Sequence, residues 1–431
     1  MIESNCLRVH AGRLQIGGMD VAALARTYGT PLYIMDENEV RAACRAFNRA
    51  MRRAYEGEFL IAYASKALSC KEIYRIMNEE GMGADLVSGG ELYTAALAGF
   101  PMERAFLHGN NKTYAELKMA LEHHVHRIVV DNAEELRLLS AAAEETGRRA
   151  AVSFRLKPGI EAHTHEFIQT GNIDSKFGLA METDEAYQTI LAAARMPMLD
   201  VVGINCHIGS QIFESEPFAR AVDILLDFMV RLRDDAGVCL TELNLGGGYG
   251  IQYIPSHDPR PVDEVAFAIA EAVQRGSQAR SLPLPRLVLE PGRSIVGPAG
   301  ITVYTAGSVK DIPGVRTYVA VDGGMPDNPR FALYNAVYEA VLPERAGEAA
   351  EGLFTIAGRC CESGDIVARD VPLPRVRSGD LVAVLATGAY NYSMASHYNR
   401  LPKPPIVMVR DGAARVVVRR ETYEDVVRQD V

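Results

Sequence analysis

Residues 59–70 read FLIAYASKALSC. An apolar run from Phe59 to Ala64 stops abruptly at Ser65 and Lys66. A short apolar run without polar alternation fits a strand buried on both faces, as in a parallel sheet. Working outward, runs of the same kind recur at 83–88 (GADLVS), 105–109 (AFLHG), 127–132 (RIVVDN) and 151–156 (AVSFRL). They continue at 201–207 (VVGINCH), 242–248 (ELNLGGG) and 286–292 (RLVLEPG). Helical patterns lie between them. In AEELRLLSAAAEETG, 133–147, apolar residues return every three or four positions and Gly147 closes the pattern. Eight such units over about 250 residues predict a (β/α)8 TIM-like barrel spanning 32–290. A doubly wound open sheet is the competing arrangement.

Beyond residue 300 the pattern changes. ITVYTAGSVKD and VRTYVAVDGG flank an Ile-Pro-Gly turn, and IVMV and ARVVVRR flank Arg410-Asp411-Gly412-Ala413, a hairpin pattern. The fold class predicted is therefore α/β plus β. A second, antiparallel β domain (sandwich or barrel) comprises 291–431, joined by residues 1–31, which show little helix character and offer an extra strand.

The chain has 431 residues, enough for two cores. Its 48% apolar and 23% charged content is that of a globular protein. The net charge of -10, with no Lys/Arg block, argues against nucleic acid or an anionic membrane as partner. No apolar run reaches the roughly 18 residues of a membrane span, and MIESNCLRVHAGRLQIGG is too polar for a secretion signal. Seven cysteines without framework spacing suggest free thiols in a reducing cytoplasm.

In a barrel the chemistry gathers at the C-terminal ends of the strands. Those ends carry Lys66, Asp85, Ser88-Gly89-Gly90-Glu91, His108-Gly109-Asn110 and Arg155. The later ones carry His207-Ile208-Gly209-Ser210-Gln211, Gly246-Gly247-Gly248 and Glu290-Pro291-Gly292-Arg293. Singly, each has a commonplace reading: a solvated lysine, a hydrogen-bonded histidine, a glycine turn. Together on one rim they describe one ligand. A desolvated lysine amine can form a Schiff base with an aldehyde. Glycine amides can approach a phosphate. A carboxylate such as Glu290 can pair with a pyridinium nitrogen, and a histidine can stack on the ring. Aldehyde, phosphate and pyridine together make pyridoxal 5′-phosphate (PLP).

The chain resembles the diaminopimelate decarboxylase family of the fold type III, alanine-racemase-like PLP enzymes. The resemblance is carried by AYASKA (62–67), DLVSGGEL (85–92), HGNNK (108–112) and HTHEFIQTGNIDSKFG (163–178). It continues through HIGSQ (207–211), LNLGGGYG (243–250), EPGRSIV (290–296), CESGD (361–365) and GAYNYSMASHYN (388–399). It implies decarboxylation of meso-2,6-diaminopimelate to L-lysine and CO2, the last step of lysine biosynthesis. By resemblance Lys66 forms the Schiff base and Cys361 is the proton donor. His207, Ser210, Gly246, Gly247, Gly248, Glu290, Gly292, Arg293 and Tyr390 bind the cofactor. Arg293, Arg330, Tyr334, Glu362 and Tyr390 bind substrate. It further implies a cytoplasmic homodimer with active sites at the interface, the CESGD loop coming from the partner subunit.

Some positions depart from the family pattern. Where the family reads MNDLIRPALY, residues 325–334 read MPDNPRFALY, with Pro326 for Asn and Phe331 for Pro. Arg359 precedes an unusual Cys360-Cys361 pair. These flank substrate-binding segments, so the alternative is a related decarboxylase acting on ornithine, lysine or carboxynorspermidine. A racemase would want Tyr where Cys361 stands. His163-x-His165 has too few companions for a metal site, and no metal is expected. His123, His124 and His126 read as solvated. Cys6, Cys44, Cys70, Cys206 and Cys239 read as core or neutral positions.

Overall fold

The computed structural model describes residue 2, residues 4–160 and residues 176–431. The HTHEFIQTG segment, with His163 and His165, lies outside the described residues. Two compact units are present: Ala43–Gly250 with Pro259–Gly292, and Met1–Ala42 with Ile251–Asp258 and Arg293–Val431.

In the first unit the eight apolar runs are eight parallel strands. They are β1 (Phe59–Ala64), β2 (Gly83–Leu86), β3 (Ala105–Leu107), β4 (Arg127–Val130), β5 (Ala150–Lys157), β6 (Leu199–Asn205), β7 (Glu242–Asn244) and β8 (Arg286–Leu289). Each pairs with the next, and β8 returns to β1 with Leu287 opposite Phe59. The sheet is therefore a closed barrel, and the open-sheet alternative falls. Leu60, Ala62, Phe106, Val129 and Val288 pack together as its interior. Their strand neighbours Ile61, Tyr63, Ile128 and Leu287 are also buried, which is why these runs show no polar alternation. Caps appear where the sequence marks them. Asn132 accepts from Glu135 N at 3.0 Å to start the helix Ala133–Thr146, and Gly147 ends it at φ 65°.

The barrel base is closed by charge. Glu242, 1% exposed at the start of β7, takes both arms of Arg127 from the start of β4, at 2.9 and 3.0 Å. Arg286, at the start of β8, lies 3.7 Å from the same carboxylate and 2.8 Å from His126 Nε2. His126 is therefore part of this cluster, not the solvated residue expected. The reason is register: it directly precedes β4 and so shares the base with Arg127.

The second unit holds a nine-stranded, mainly antiparallel sheet. Gly300–Ile312 and Arg316–Val321 form the first expected hairpin, and Ile406–Arg410 with Ala413–Val418 the second. Asp411 and Gly412, at φ 50° and 78°, make the latter's turn. Two pairings in this sheet are parallel: Leu32–Asp36 with Ile406–Arg410, and Arg316–Val321 with Gly352–Ala357. Two expectations for the N-terminal part need correction. The described residues among 1–31 supply no strand to this sheet; they form a separate three-stranded sheet, and Val21–Tyr28 is helical. Asp20 caps that helix, accepting from Ala23 N at 2.7 Å, and Gly29 stops it. The added strand is instead Leu32–Asp36, paired on both sides within the sheet. The compact units divide at Ala43 and Gly292, with Ile251–Asp258 also in the second unit. No helix among the described residues is long and apolar enough to cross a membrane.

Candidate functional site

Strand parity builds the mouth of the barrel. Phe106, Val129 and Val288 point inward, so His108, Asp131 and Glu290, two residues on, are carried to the same side. β2 ends beside β1 with Asp85 opposite Ala64, just before Lys66. Lys66 sits in a single 3-10 turn, Ser65–Ala67, with its side chain exposed. Beside it, the Ser65 hydroxyl lies 2.7 Å from the Asp85 carbonyl and 2.8 Å from a Glu91 carboxylate oxygen. Glu91 also accepts from Val87 N at 2.7 Å, and Ser88 caps the helix Gly89–Leu97. DLVSGGEL is thus a helix start that fixes the turn carrying the lysine.

Glu290 is 6% exposed. His108 Nε2 lies 2.8 Å from its Oε1, and Asn244 Nδ2 donates to the same oxygen at 2.6 Å. Asn244 Oδ1 accepts from Gly246 N at 2.8 Å, which fixes the amide's orientation. Asp85 Oδ1 lies 3.7 Å from His108 Nε2. Burial alone would push the Glu290 carboxyl up; the His108 charge and the bonds from His108 and Asn244 outweigh it and hold the pKa down. Burial likewise opposes the His108 imidazolium, and the charges of Glu290 and Asp85 outweigh it and raise its pKa. His207 goes the other way. Burial, then the positive charges of Lys66, Arg155 and His108, push its pKa well below the ordinary value, so its ring is neutral. Its Nδ1 accepts from Gly247 N at 3.3 Å.

The glycine run is demanded by crowding. A Cβ on Gly246 would lie 2.6 Å from the Cys206 carbonyl, on Gly247 2.1 Å from the Glu290 carbonyl, and on Gly248 2.5 Å from the Gly209 carbonyl. These strand ends approach so closely that only backbone fits between them. The amides of Gly246 and Gly247 donate to Asn244 and His207. Ser210 is half-buried nearby in sequence, at the end of β6. At Gly292, a Cβ would lie 2.9 Å from Ala64 Cβ, so the EPGR turn packs directly on the end of β1.

Other expected residues lie in the second unit and gather around tyrosines. Arg293 Nη1 donates to the Tyr253 hydroxyl at 2.6 Å, and its guanidinium lies 4.7 Å from the Tyr390 ring centre. Arg330 Nη1 donates to the Tyr338 hydroxyl at 2.7 Å and lies 4.9 Å over the Tyr253 ring. Both arginines are buried. Tyr334, half-buried, ends the short helix Arg330–Tyr334. Tyr253, Tyr338 and Asn244 were not anticipated. The first two carry no sequence signature, whereas Asn244, a polar residue inside a buried apolar run, was a readable clue.

The Cys360-Cys361 loop is organised by Asp365. Its carboxylate accepts from Met325 N at 2.6 Å and Cys360 N at 2.8 Å, tying the 325–334 segment to the cysteines. A Cβ on Gly358 would lie 2.2 Å from Asp365, so this approach also requires glycine. The two thiols differ. Burial and the Asp365 charge push Cys360 up to about 12, leaving a neutral thiol; Cys361 is exposed, with its amide donating to Asn399 Oδ1 at 2.8 Å. Glu362 is exposed and its Oε1 accepts from Gly364 N at 3.2 Å. The unusual residues are structurally placed: the Pro326 carbonyl accepts from Ser396 N at 2.8 Å, Phe331 lies under the Arg369 guanidinium at 5.2 Å, and the Arg359 side chain is exposed.

Residues 37–297 match the family model described as pyridoxal-dependent decarboxylase, pyridoxal binding domain. The diaminopimelate decarboxylase of Bacillus subtilis is 48% identical over 420 residues, covering 97% of this chain and 95% of that one. That of Synechocystis is 44% identical over 97% of this chain and 90% of its own length. The crystal structure of diaminopimelate decarboxylase from M. jannaschii in co-complex with L-lysine superposes with a TM-score of 0.93 at 35% identity, covering 100% of this chain and 99% of that one. The chain is a PLP-dependent carboxy-lyase and belongs to the diaminopimelate decarboxylase family.

The barrel-mouth residues fit PLP, the family's cofactor. Both donors to Glu290 fall on Oε1, which leaves Oε2 as an anionic acceptor suited to a protonated pyridine nitrogen. The glycine turn carries no side chain to block a phosphate, while the amides of Gly246 and Gly247 already donate within the protein.

Proposed function

We propose that the chain removes CO2 from meso-2,6-diaminopimelate and releases L-lysine. When bound, PLP supplies an aldehyde for the substrate amine and a sink for the electrons left as CO2 departs. The chain's own residues do the rest. The Lys66 amine, presented on the turn Ser65–Ala67, would hold the cofactor by its aldehyde. Neutral His207 covers one face of the ring without adding charge to it. Ionised Glu290 holds a proton at the ring nitrogen. Ser210, Gly246, Gly247 and Gly248, with Gly292, Arg293 and Tyr390, serve the cofactor's phosphate end. The observation carrying this reading is the buried, ionised Glu290 with its donors on one oxygen only, in the same barrel mouth as Lys66.

Arg293 and Arg330, held by tyrosines, suit substrate carboxylate, for guanidinium binds carboxylate in a bidentate fork. Glu362 suits the distal ammonium, with Tyr334 and Tyr390 lining the substrate. A molecule with an amino acid at each end uses both kinds of partner. Cys361, exposed and adjacent to the unreactive Cys360, protonates the substrate Cα after CO2 leaves. We further propose a homodimer in which this exposed loop completes the partner's site, in a cytoplasmic setting, with the 32–290 and flanking segments acting as the two functional domains. The test is chemical. Borohydride reduction of the PLP-loaded protein followed by peptide mass mapping is expected to place the adduct on Lys66, and Lys66→Ala is expected to lose adduct and lysine production together. A retained adduct in Lys66→Ala would overturn the assignment.

A further inference from the structure

His108 directly follows β3 in the sequence AFLHG and has no task in the proposed chemistry. It is 6% exposed, and two carboxylates face it. Nε2 lies 2.8 Å from Glu290 Oε1 and 3.7 Å from Asp85 Oδ1, and Asp85 Oδ1 is buried without a hydrogen bond of its own. The backbone fixes the ring's root: His108 N donates to the Leu86 carbonyl at 2.7 Å, in the ladder that continues β2 and β3. Other charged or titratable groups act on this cluster: Lys66, Arg155, His207 and Glu91, with the Cys206 thiol and the Tyr249 hydroxyl beside Glu290.

A neutral imidazole here would leave two buried carboxylates, Asp85 and Glu290, repelling each other across a few ångströms of protein. One of them would then take up a proton. If that were Glu290, it could no longer hold a proton on a pyridine nitrogen. An imidazolium removes the conflict. It neutralises one charge of the pair and pins Oε1. With Asn244 on the same oxygen, it fixes the carboxylate's rotation so that Oε2 faces away from both donors.

We propose that His108 is a positioning residue that, as an imidazolium between Asp85 and Glu290, keeps Glu290 ionised and turned toward the pyridine nitrogen, so that the ring nitrogen keeps its proton. The proposal rests on the reading that Glu290 meets that nitrogen. His108 itself touches neither substrate nor reacting atoms in this account.

The experiment uses the full-length holoenzyme loaded with PLP carrying 15N in the ring. The pyridine 15N resonance reports protonation directly, without reference to turnover. The unaltered protein is expected to show a protonated nitrogen at neutral pH. His108→Gln is expected to lower that nitrogen's pKa by at least about one unit, a tenfold change in its proton affinity. His108→Lys, which keeps a cation beside Glu290, is expected to restore most of the protonated resonance. Glu290→Gln is the control that separates the two claims. If Glu290→Gln leaves the resonance unchanged, the Glu290 assignment itself fails. If Glu290→Gln shifts it and His108→Gln does not, the Glu290 assignment stands and the role of His108 is refuted. A second measurement needs no variant. In the unaltered holoenzyme labelled with 15N-histidine, ordinary histidines are neutral at pH 8, so a protonated imidazole persisting there is the expected signature. A spectrum with every histidine neutral at pH 8 would overturn the proposal even if the His108 variants fail to fold.

Discussion

Glu242→Gln at the barrel base gives a stability test that is separate from the chemistry. Glu242 is buried between Arg127, Arg286 and His126, and it belongs to the strand starts, whereas Lys66 belongs to the strand ends. Burial works to raise its pKa, and the two bonds and the charge of Arg127, with His126 3.9 Å away, overcome this and bring it from 4.5 to about 2. The folded value is the lower one. The stabilisation is therefore present in full above the unfolded value and is lost as pH falls through about 2. A depression of about 2.5 units corresponds to about 3 kcal/mol at neutral pH. That agrees with the roughly 3–5 kcal/mol lost when one partner of a buried ion pair is removed. Urea titrations followed by far-UV circular dichroism provide the assay, the chain having no tryptophan. At pH 7 the variant is expected to be about 3 kcal/mol less stable with an unchanged urea dependence. By pH 4 the gap should narrow by about 1 kcal/mol, because part of the parent's advantage is already titrated away. Cofactor attachment at Lys66 should survive. A gap below about 1 kcal/mol at pH 7, or one that widens toward pH 4, would refute the reasoning.

Other expectations follow from close contacts. Gly247→Ala places a Cβ 2.1 Å from the Glu290 carbonyl, so PLP binding should weaken at least about tenfold, the result of a displacement costing about 1.4 kcal/mol; spectrophotometric titration with PLP measures it. Cys361→Ala should slow product formation and scramble the stereochemistry of solvent deuterium entering at Cα, while Cys360→Ala, lacking only a half-buried neutral thiol, should remain near the parent; deuterium analysis of the lysine formed distinguishes them. Asp365→Ala removes the acceptor for Met325 N and Cys360 N, and two orphaned amides at about 1–3 kcal/mol each should lower the thermal midpoint and expose the loop to limited proteolysis.

The barrel was legible because burial on both faces leaves a run such as Phe59–Ala64 without polar alternation, and eight such runs with helices between them admit few arrangements. Strand parity then carried several site residues: once Val288 faces inward, so does Glu290. The second sheet was legible through its turns, Pro313-Gly314 and Asp411-Gly412. The N-terminal helix Val21–Tyr28 was missed because its cap, Asp20, ends a short strand that follows two glycines, and the whole stretch read as an extra strand with little helix character. Leu32–Asp36 fell inside the 32–290 barrel range although it joins the second sheet, because nothing in an apolar run says which sheet receives it. The tyrosine cluster around Arg293 and Arg330 depends on long-range packing between residues 253, 293, 330, 338 and 390, and no spacing in the sequence announces it. The same holds for His126, whose partner Arg286 is 160 residues away.

The central claim is the identity of the substrate. CO2 release by the PLP-loaded protein should be measured in parallel with meso-diaminopimelate, L-ornithine, L-arginine, L-lysine and carboxynorspermidine. Release from meso-diaminopimelate alone, with L-lysine formed in equal amount, is the expected result, and Pro326, Phe331 and Arg359 are then neutral variation. Release from another amine with diaminopimelate ignored would contradict the account and point to those three positions as the source of a changed specificity.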